Sequence, residues 1–537
     1  MKRSLKNIAL IVSLGTFASK IGGLVRQLLI AGAFGIGAAY DAYNYAYILP
    51  GFFLVLLGGI NGPFHNAIVS ILSRKSKSES TYIISSIASI TSIFLIIISI
   101  ILVTFANNII TLVGPGLTKE IHDLAVIQLK IMSPIAFISG LIGLGFGLLN
   151  ANNKFFIPSI SPVISSISVI TFVGIFWITK QQDIGSENFI FQGGMILAIS
   201  TVIGAFLQVI IQVPSLVKNG FNRIRILFDF RHKGVQEVLR ILGPATFSAG
   251  MLQINVFTDL FFASNLLGAA AGLSYANFLI QAPLGLISNA LLIPLLPTFS
   301  RLSDNNDERR LIKRISQGLI FSSSSMIALG TVFVALSDPI VEVIYQRGAF
   351  NKDAVHLVSG LLIAYGLGMP VYLARDLLVR VFYSIKDGDT PFKISLISII
   401  LNIIFDWILI GGPSPWGNQI PINFGAKGLV LATVFVNLVS CILLIVKLKV
   451  KLKKLPLLQW SIDNLKLLIS GLFAGYLSWL LQRLLVFENN FISQLFGLTL
   501  CILVSLTIFI IIGTALGVKE INELIKILKT KTYSGLK

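Results

Sequence analysis

Two basic residues stand where so apolar a chain has little reason to place them. Lys20 and Arg26 lie inside Ser19 to Pro50, SKIGGLVRQLLIAGAFGIGAAYDAYNYAYILP, a run with the apolar content of a membrane helix. A cation at a bilayer centre costs roughly 2.5–3.5 kcal/mol on insertion scales, and is tolerated when it faces protein or a wet cavity. The chemistry such a pair offers is anion binding. Gly22 and Gly23 lie between the two cations and let a ligand or a second backbone come close. Six residues apart, Lys20 and Arg26 point to different azimuths of an ideal helix. One ligand meets both only across a kink or a wide cavity. The competing reading has them pair with Asp41, or with carbonyls, and simply hold helices together.

A second constellation is rich in oxygen. Asn402 and Asp406 are four apart, so they share one helix face. Thr433 falls at a comparable depth on the following helix, and Asp259 near the outer end of an earlier one. Oxygen ligands with two carboxylates suit a hard cation, and sodium needs no dedicated motif. Alternatively, Asp259 and Asp406 are helix-end charges that face water, or they carry protons. Elsewhere, Asp376 and Arg380 stand at i, i+4 and are expected to pair. No GxxxxGKS or GxxxxGKT, HExxH or GxSxG occurs, and the four histidines are scattered. An enzyme is therefore not expected, nor transport driven by ATP bound to this chain.

The elements that position these residues follow from composition. The 537 residues are 55% hydrophobic and 12% charged, with mean hydropathy +0.86. Apolar runs of about 18 residues or more recur from end to end, as membrane helices require. The fold class is all-α and polytopic. About fourteen spans are expected: 8–33, 42–72, 82–107, 123–150, 157–179, 191–217, 236–262, 272–300, 314–337, 355–384, 391–410, 427–446, 464–486 and 491–515. The basic start and apolar middle of the N-terminus imitate a signal peptide. The apolar character continues past Lys20 to Phe34, so the segment stays as the first helix. Cys441 and Cys501 fall inside spans and imply no disulfide framework.

The net charge of +19 would suggest nucleic acid in a soluble chain; here it reads as membrane orientation, and no nucleic-acid partner is expected. With the N-terminus inside, inner loops hold about 30 of the Lys and Arg residues and outer loops about five. Both termini are expected to be cytoplasmic. KLKVKLKK at 447–454 and KEINELIKILKTK at 519–531 read either as cationic segments resting on an anionic leaflet or as solvated loop.

A faint repeat divides the chain. Pro50 and Pro283 are 233 residues apart, as are Pro158 and Pro391. Spans 2 and 8 both close with Ser-Arg, at 73–74 and 300–301. The repeat implies two six-helix lobes, 1–220 and 221–450, around a central cavity that opens alternately to each side. Residues 451–537 add two more helices and a cationic tail.

These stretches together resemble the MviN/MurJ family of lipid II flippases, in the multidrug/oligosaccharidyl-lipid/polysaccharide exporter superfamily. SKIGGLVRQLLIAGAFGIGAAYDAY is similar to the family's first-helix signature, and GLLNANNKFFIPSISPV to its span 4–5 junction. YQRGAF at 345–350 resembles its span 9–10 loop. YANFLIQAPLGLISNALLIPLLPTFSR and FYSIKDGDTPFKI resemble its spans 8 and 10–11. The resemblance implies fourteen helices, the last two bordering a lipid-tail groove. It implies a substrate, lipid II, which is an undecaprenyl-diphosphate-linked peptidoglycan precursor moved from the inner to the outer leaflet of the bacterial plasma membrane. Membrane lipids and cell-wall synthesis proteins are the other partners it suggests. Its cationic cavity residues fall on Lys20 and Arg26, and its acidic residue before helix 2 on Asp41. Its sodium site maps to Asp259, Asn402, Asp406 and Thr433, with Leu429 giving a carbonyl. No organic cofactor is implied.

The chain departs from that pattern at three places. LPGFFLVLLGG lacks the basic pair that the family carries early in span 2. Phe278 stands at the family's span 8 arginine, and Gln27 replaces an acid. Fewer cations remain for a diphosphate. Either the headgroup is held differently, or the chain exports another polyprenyl-linked glycan or an amphipathic solute. A non-transporting scaffold is the third reading, and charges buried within repeated lobes argue against it.

Overall fold

A computed structural model describes residues 5–59, 62–72, 77–219, 221, 225–305, 307–412, 420–452, 454–485, 490–518 and 521. Most of the cationic segment at 519–531, and parts of the basic loops at 74–77, 218–233 and 447–454, lie outside the described residues. By packing, the chain forms two compact units. The first is Met1–Ala271 with Arg347–Asn351; the second is Gly272–Gln346 with Lys352–Lys537.

The first unit contains α1 (Leu5–Phe34), α2 (Ala38–Leu56), α3 (Pro63–Leu72), α4 (Lys77–Thr104), α5 (Ala106–Val113), α6 (Lys119–Met132), α7 (Ile135–Ala151), α8 (Phe156–Thr179), α9 (Glu187–Lys218) and α10 (Lys233–Ala263). It also holds the first turn of α11 (Ala269–Asp304). The second unit contains the rest of α11, then α12 (Glu308–Ala335), α13 (Ser337–Tyr345), α14 (Lys352–Ser384), α15 (Asp389–Leu409), α16 (Ala426–Lys451), α17 (Leu457–Leu484) and α18 (Phe491–Ala515).

Among the described residues, twelve helices are long and apolar enough to cross a membrane. Two expected spans are not among them. Span 42–72 is divided into α2 and α3, because Gly58, Gly59 and Gly62 interrupt the helix and Gly62 N–H turns back to the Gly59 carbonyl at 3.0 Å. Span 236–262 is one helix, α10, that carries Glu237, Arg240 and Asp259. Span 123–150 also breaks, at Ser133 and Pro134, since proline has no N–H to continue the ladder.

Glycine governs how α7 packs. A Cβ on Gly143 would stand 1.8 Å from the Leu57 carbonyl oxygen, so only glycine lets the break after α2 lie against this helix. Gly140, Gly145 and Gly147 receive Leu95 of α4, Gln212 of α9 and Ile68 of α3.

The repeat seen in the prolines extends to the helix ends. Lys119 and Lys352 open α6 and α14, Ala151 and Ser384 close α7 and α14, and Phe156 and Asp389 open α8 and α15; every pair is 233 apart. The short helix α5 has its counterpart in α13. By packing, α10 belongs with the first unit, against α2, α3, α4 and α5, although the repeat pairs it with α1.

One turn outside the spans makes a test of pH. Asp387 lies between α14 and α15 and accepts from Lys451 at 2.9 Å and from the Thr390 N–H and hydroxyl at 3.0 and 2.6 Å. Desolvation raises its pKa, but the hydrogen bonds from Thr390 and Lys451 outweigh that and bring it down from 3.8 to about 2. A depressed carboxyl stabilises the fold fully above its unfolded value, and the stabilisation is lost as pH falls through the folded one. Asp387→Asn should therefore melt below wild type at pH 6, and the gap should close as pH falls from 3.8 toward 2. A gap that stays constant with pH would show that the ion pair contributes nothing.

Candidate functional site

In the first unit the site grows from α1. Its glycines settle which way the helix faces. Gly15 lies against Ser159 and Gly22 against Ser166 and Val163, all on α8, whereas Gly23 faces open space. The α8 side of α1 is thus closed by packing, and the Gly23 side is open. Lys20 is exposed and Arg26 half-buried. The Nε of Arg26 is buried and has no hydrogen-bond partner among the described residues.

An aromatic stack stands beside Arg26. Tyr40, Tyr43 and Tyr47 recur at i, i+3 and i+7, so they share a face of α2. The Tyr43 and Tyr47 rings lie 5.3 Å apart at 11°, and the Tyr40 and Tyr43 rings 6.0 Å apart at 17°. The Arg26 charge acts on both Tyr43 and Tyr47. The Tyr43 hydroxyl is 3.1 Å from the Thr201 hydroxyl on α9. Gln27, buried, donates to the Tyr40 hydroxyl at 2.8 Å and so ties α1 to α2. Our sequence reading missed these tyrosines. The spacing in YDAYNYAY carried the signal, but such a stripe is more often packing than site.

Asp41 is placed differently from the two cations. It is 2% exposed, and its carboxylate accepts from the Ala271 N–H at 2.9 Å and from the backbone of Gly268 and Ala270. It caps the N-terminus of α11, where exposed amides and the helix dipole favour an anion.

In the second unit three of the oxygen-bearing residues meet. Asn402 and Asp406 on α15 are 1% and 0% exposed. Asn402 donates to the Asp406 carboxylate at 2.6 Å and accepts from the Thr433 hydroxyl of α16 at 3.4 Å. Below them Ser398 meets Ser440 at 2.7 Å, so the polar seam between α15 and α16 is antiparallel. Continued upward, that seam brings buried Leu429 level with Asp406. Complete burial overturns the reading of Asp406 as a solvated helix-end charge. Asp259 is half-buried on α10, in the first unit. On α14, Arg380 donates to the Leu292 carbonyl at 3.3 Å and Arg375 to Ser395 at 3.5 Å, and the charges of both arginines act on Asp376.

Of the last two helices, α17 borders an apolar cavity of about 510 Å3 within the second unit, between α12, α14 and α17; no α18 residue lines it among the described residues. Gly330 and Gly366 let α12 and α14 approach, and Gly471 and Gly475 of α17 lie against Thr331. Leu367, Leu472, Tyr476 and Trp479 complete much of its wall.

Comparison with known proteins now identifies the family. The family described as lipid II flippase MurJ matches residues 30–501. A probable lipid II flippase MurJ of Synechocystis is 46% identical over 477 residues, covering 89% of this chain and 87% of the relative. The lipid II flippase MurJ of Thermosipho africanus is 28% identical over 441 residues, covering 82% and 85%. A solved structure titled as lipid II flippase MurJ in an inward closed conformation superposes with a TM-score of 0.73 at 28% identity, covering 94% of this chain and 98% of the other. A multidrug transporter of the MATE family, inward-facing, shares the fold at a TM-score of 0.65 and 14% identity, over 81% and 94% of the two chains. This chain is a multi-pass membrane protein that belongs to the MurJ family of lipid II flippases.

Proposed function

We propose that this protein carries lipid II from the inner to the outer leaflet by alternating access, and that Lys20 and Arg26 hold its diphosphate. The observation that carries the residue assignment is Arg26. A guanidinium in mid-helix whose buried Nε has no hydrogen-bond partner among the described residues is costly unless an anion completes it. A diphosphate does so bidentately. The Tyr43 and Tyr47 rings beside it offer a flat apolar wall to a sugar or a prenyl unit. The cavity between α12, α14 and α17 suits the polyprenyl tail. Loop charge supports cytoplasmic termini in the bacterial plasma membrane. Asp41, as the cap of α11, fixes the α2 end of the site rather than touching substrate. The protein is a transporter. Expression of the gene should restore growth to a strain depleted of its lipid II flippase. Failure to do so, with normal amounts of protein in the membrane, would remove the substrate assignment.

The α15–α16 seam fits a sodium ion. Asn402, Asp406 and Thr433, with the Leu429 carbonyl, would hold it through oxygen atoms, as a hard cation requires. Asp259, in the other unit, is not drawn on. When bound, such an ion neutralises the buried Asp406 carboxylate and ties α15 to α16. A ligand present at about 100 times its Kd stabilises a fold by about 2.7 kcal/mol. The purified protein should therefore melt higher in sodium than in choline, and Asp406→Asn should remove that difference while lipid II binding persists. Equal melting temperatures in the two salts for wild type would eliminate the ion.

A further inference from the structure

We propose that the start of α12, with the facing end of α11, holds the phosphate headgroup of an anionic phospholipid, at a site separate from the transported lipid. Arg310, Lys313 and Arg314 stand at i, i+3 and i+4 and so share one face of α12. Thr298 and Leu302 of α11 lie across from them. With Gln317 these residues enclose a cavity of about 450 Å3 in the second unit, and no acidic side chain lines it among the described residues.

The cations are held in place by their neighbours. Arg314 donates to the Gln317 side chain at 3.0 Å. The Asp307 carboxylate caps α12 through the Arg310 N–H at 3.2 Å and steadies the Arg310 Nε at 3.4 Å. Asp304 is engaged by Lys386 at 2.9 Å. Leu311 and Ile315, next to that face on α12, are buried, whereas Arg310, Lys313 and Arg314 are exposed.

Charge complementarity and depth select a lipid as the occupant. The charged first turns, ERRLIKR, give way directly to the apolar body of α12, so the cavity lies where a span leaves the membrane. A phosphodiester at that level meets two guanidinium forks and an ammonium, while Leu302 meets the start of the acyl chains. A soluble anion would use the cations and leave the apolar rim idle. Basic pockets between spans on the cytoplasmic side recognise anionic headgroups in this way. The sidedness rests on the orientation proposed above; the binding itself does not.

The test is run in neutral detergent, where sidedness plays no part and transport is not required. Full-length protein is titrated with phosphatidylglycerol, with phosphatidylcholine, and with inorganic phosphate at matched ionic strength. Native mass spectrometry counts the retained lipid, and melting temperature reports its effect. One phosphatidylglycerol should be retained in preference to phosphatidylcholine. Arg310→Gln, Lys313→Gln, Arg314→Gln together should weaken retention about a hundredfold, and Lys313→Gln alone, which preserves the fold at an exposed position, about fivefold. Lys119→Gln, Lys180→Gln, Lys352→Gln removes the same charge at exposed helix ends elsewhere and should leave retention unchanged. Lys20→Ala, Arg26→Ala should leave it unchanged too, which separates this site from the transport site. Equal weakening by the two triple variants, no weakening by Lys313→Gln, or stabilisation by inorganic phosphate that matches the lipid would each overturn the proposal.

Discussion

A flippase-depleted strain that carries only the Lys20→Ala, Arg26→Ala double variant should stop growing, with the protein still present in its membranes. A hydrogen bond to a charged group contributes about 1.5–3 kcal/mol, so removing either side chain should cost roughly 10- to 100-fold in headgroup affinity. The two losses compound, because both cations lie on the open run of α1 and neither is replaced by the absent span 2 pair. The conservative exchanges should separate them. Lys20 is exposed and acts as a point charge, so Lys20→Arg should be tolerated. Arg26 is half-buried beside Tyr43 and Tyr47, so Arg26→Lys loses the planar fork and should fail more severely. Growth of the double variant at the wild-type rate would show that neither cation serves transport.

The second large effect concerns folding. Gly348→Ala should lower the amount of folded protein several-fold, because Gly348 sits where no side chain fits. Its φ is +56°, and a Cβ there would stand 2.2 Å from the Gly32 carbonyl oxygen and 2.7 Å from the Trp177 ring. The backbone conformation alone costs alanine about 1–2 kcal/mol, and overpacking adds typically 1–3 kcal/mol. That is a large share of the roughly 5–15 kcal/mol that holds a domain folded. The loop needs the close approach because the Ala349 N–H donates to the Gly32 carbonyl at 2.8 Å, fixing RGAF against α1 just beyond Arg26. Ala349→Gly, which keeps that N–H, should be mild by comparison. Thermal melts of the three proteins decide the matter; coincident curves for wild type and Gly348→Ala would contradict it.

The contrast shows what a sequence exposes and what it hides. YQRGAF was legible as a motif, but its purpose was not, since the partner carbonyl lies more than 300 residues away on α1. The spans were legible because hydropathy is local. Their breaks at Gly58–Gly62 and at Pro134 were less so, because apolar runs continue across both. Arg26 announced itself as a charge in an apolar helix. Tyr43 and Tyr47 did not, because aromatic residues at helical spacing are ordinary core. Asp41 was visible as an acid near two cations; that it caps α11 depends on a contact 230 residues distant. Asn402 and Asp406 could be joined by i, i+4 geometry. Their depth of burial follows from how α16 packs, which no spacing encodes.

The most direct test reconstitutes the protein in vesicles with fluorescent lipid II in one leaflet and follows its appearance in the other. Wild type should move lipid II well above the protein-free background, and the Lys20→Ala, Arg26→Ala double variant should fall to that background while inserting equally. Movement by the double variant at the wild-type rate would contradict the assignment of the diphosphate to α1. An absence of movement by wild type, in vesicles where an established lipid II flippase is active, would contradict the function itself.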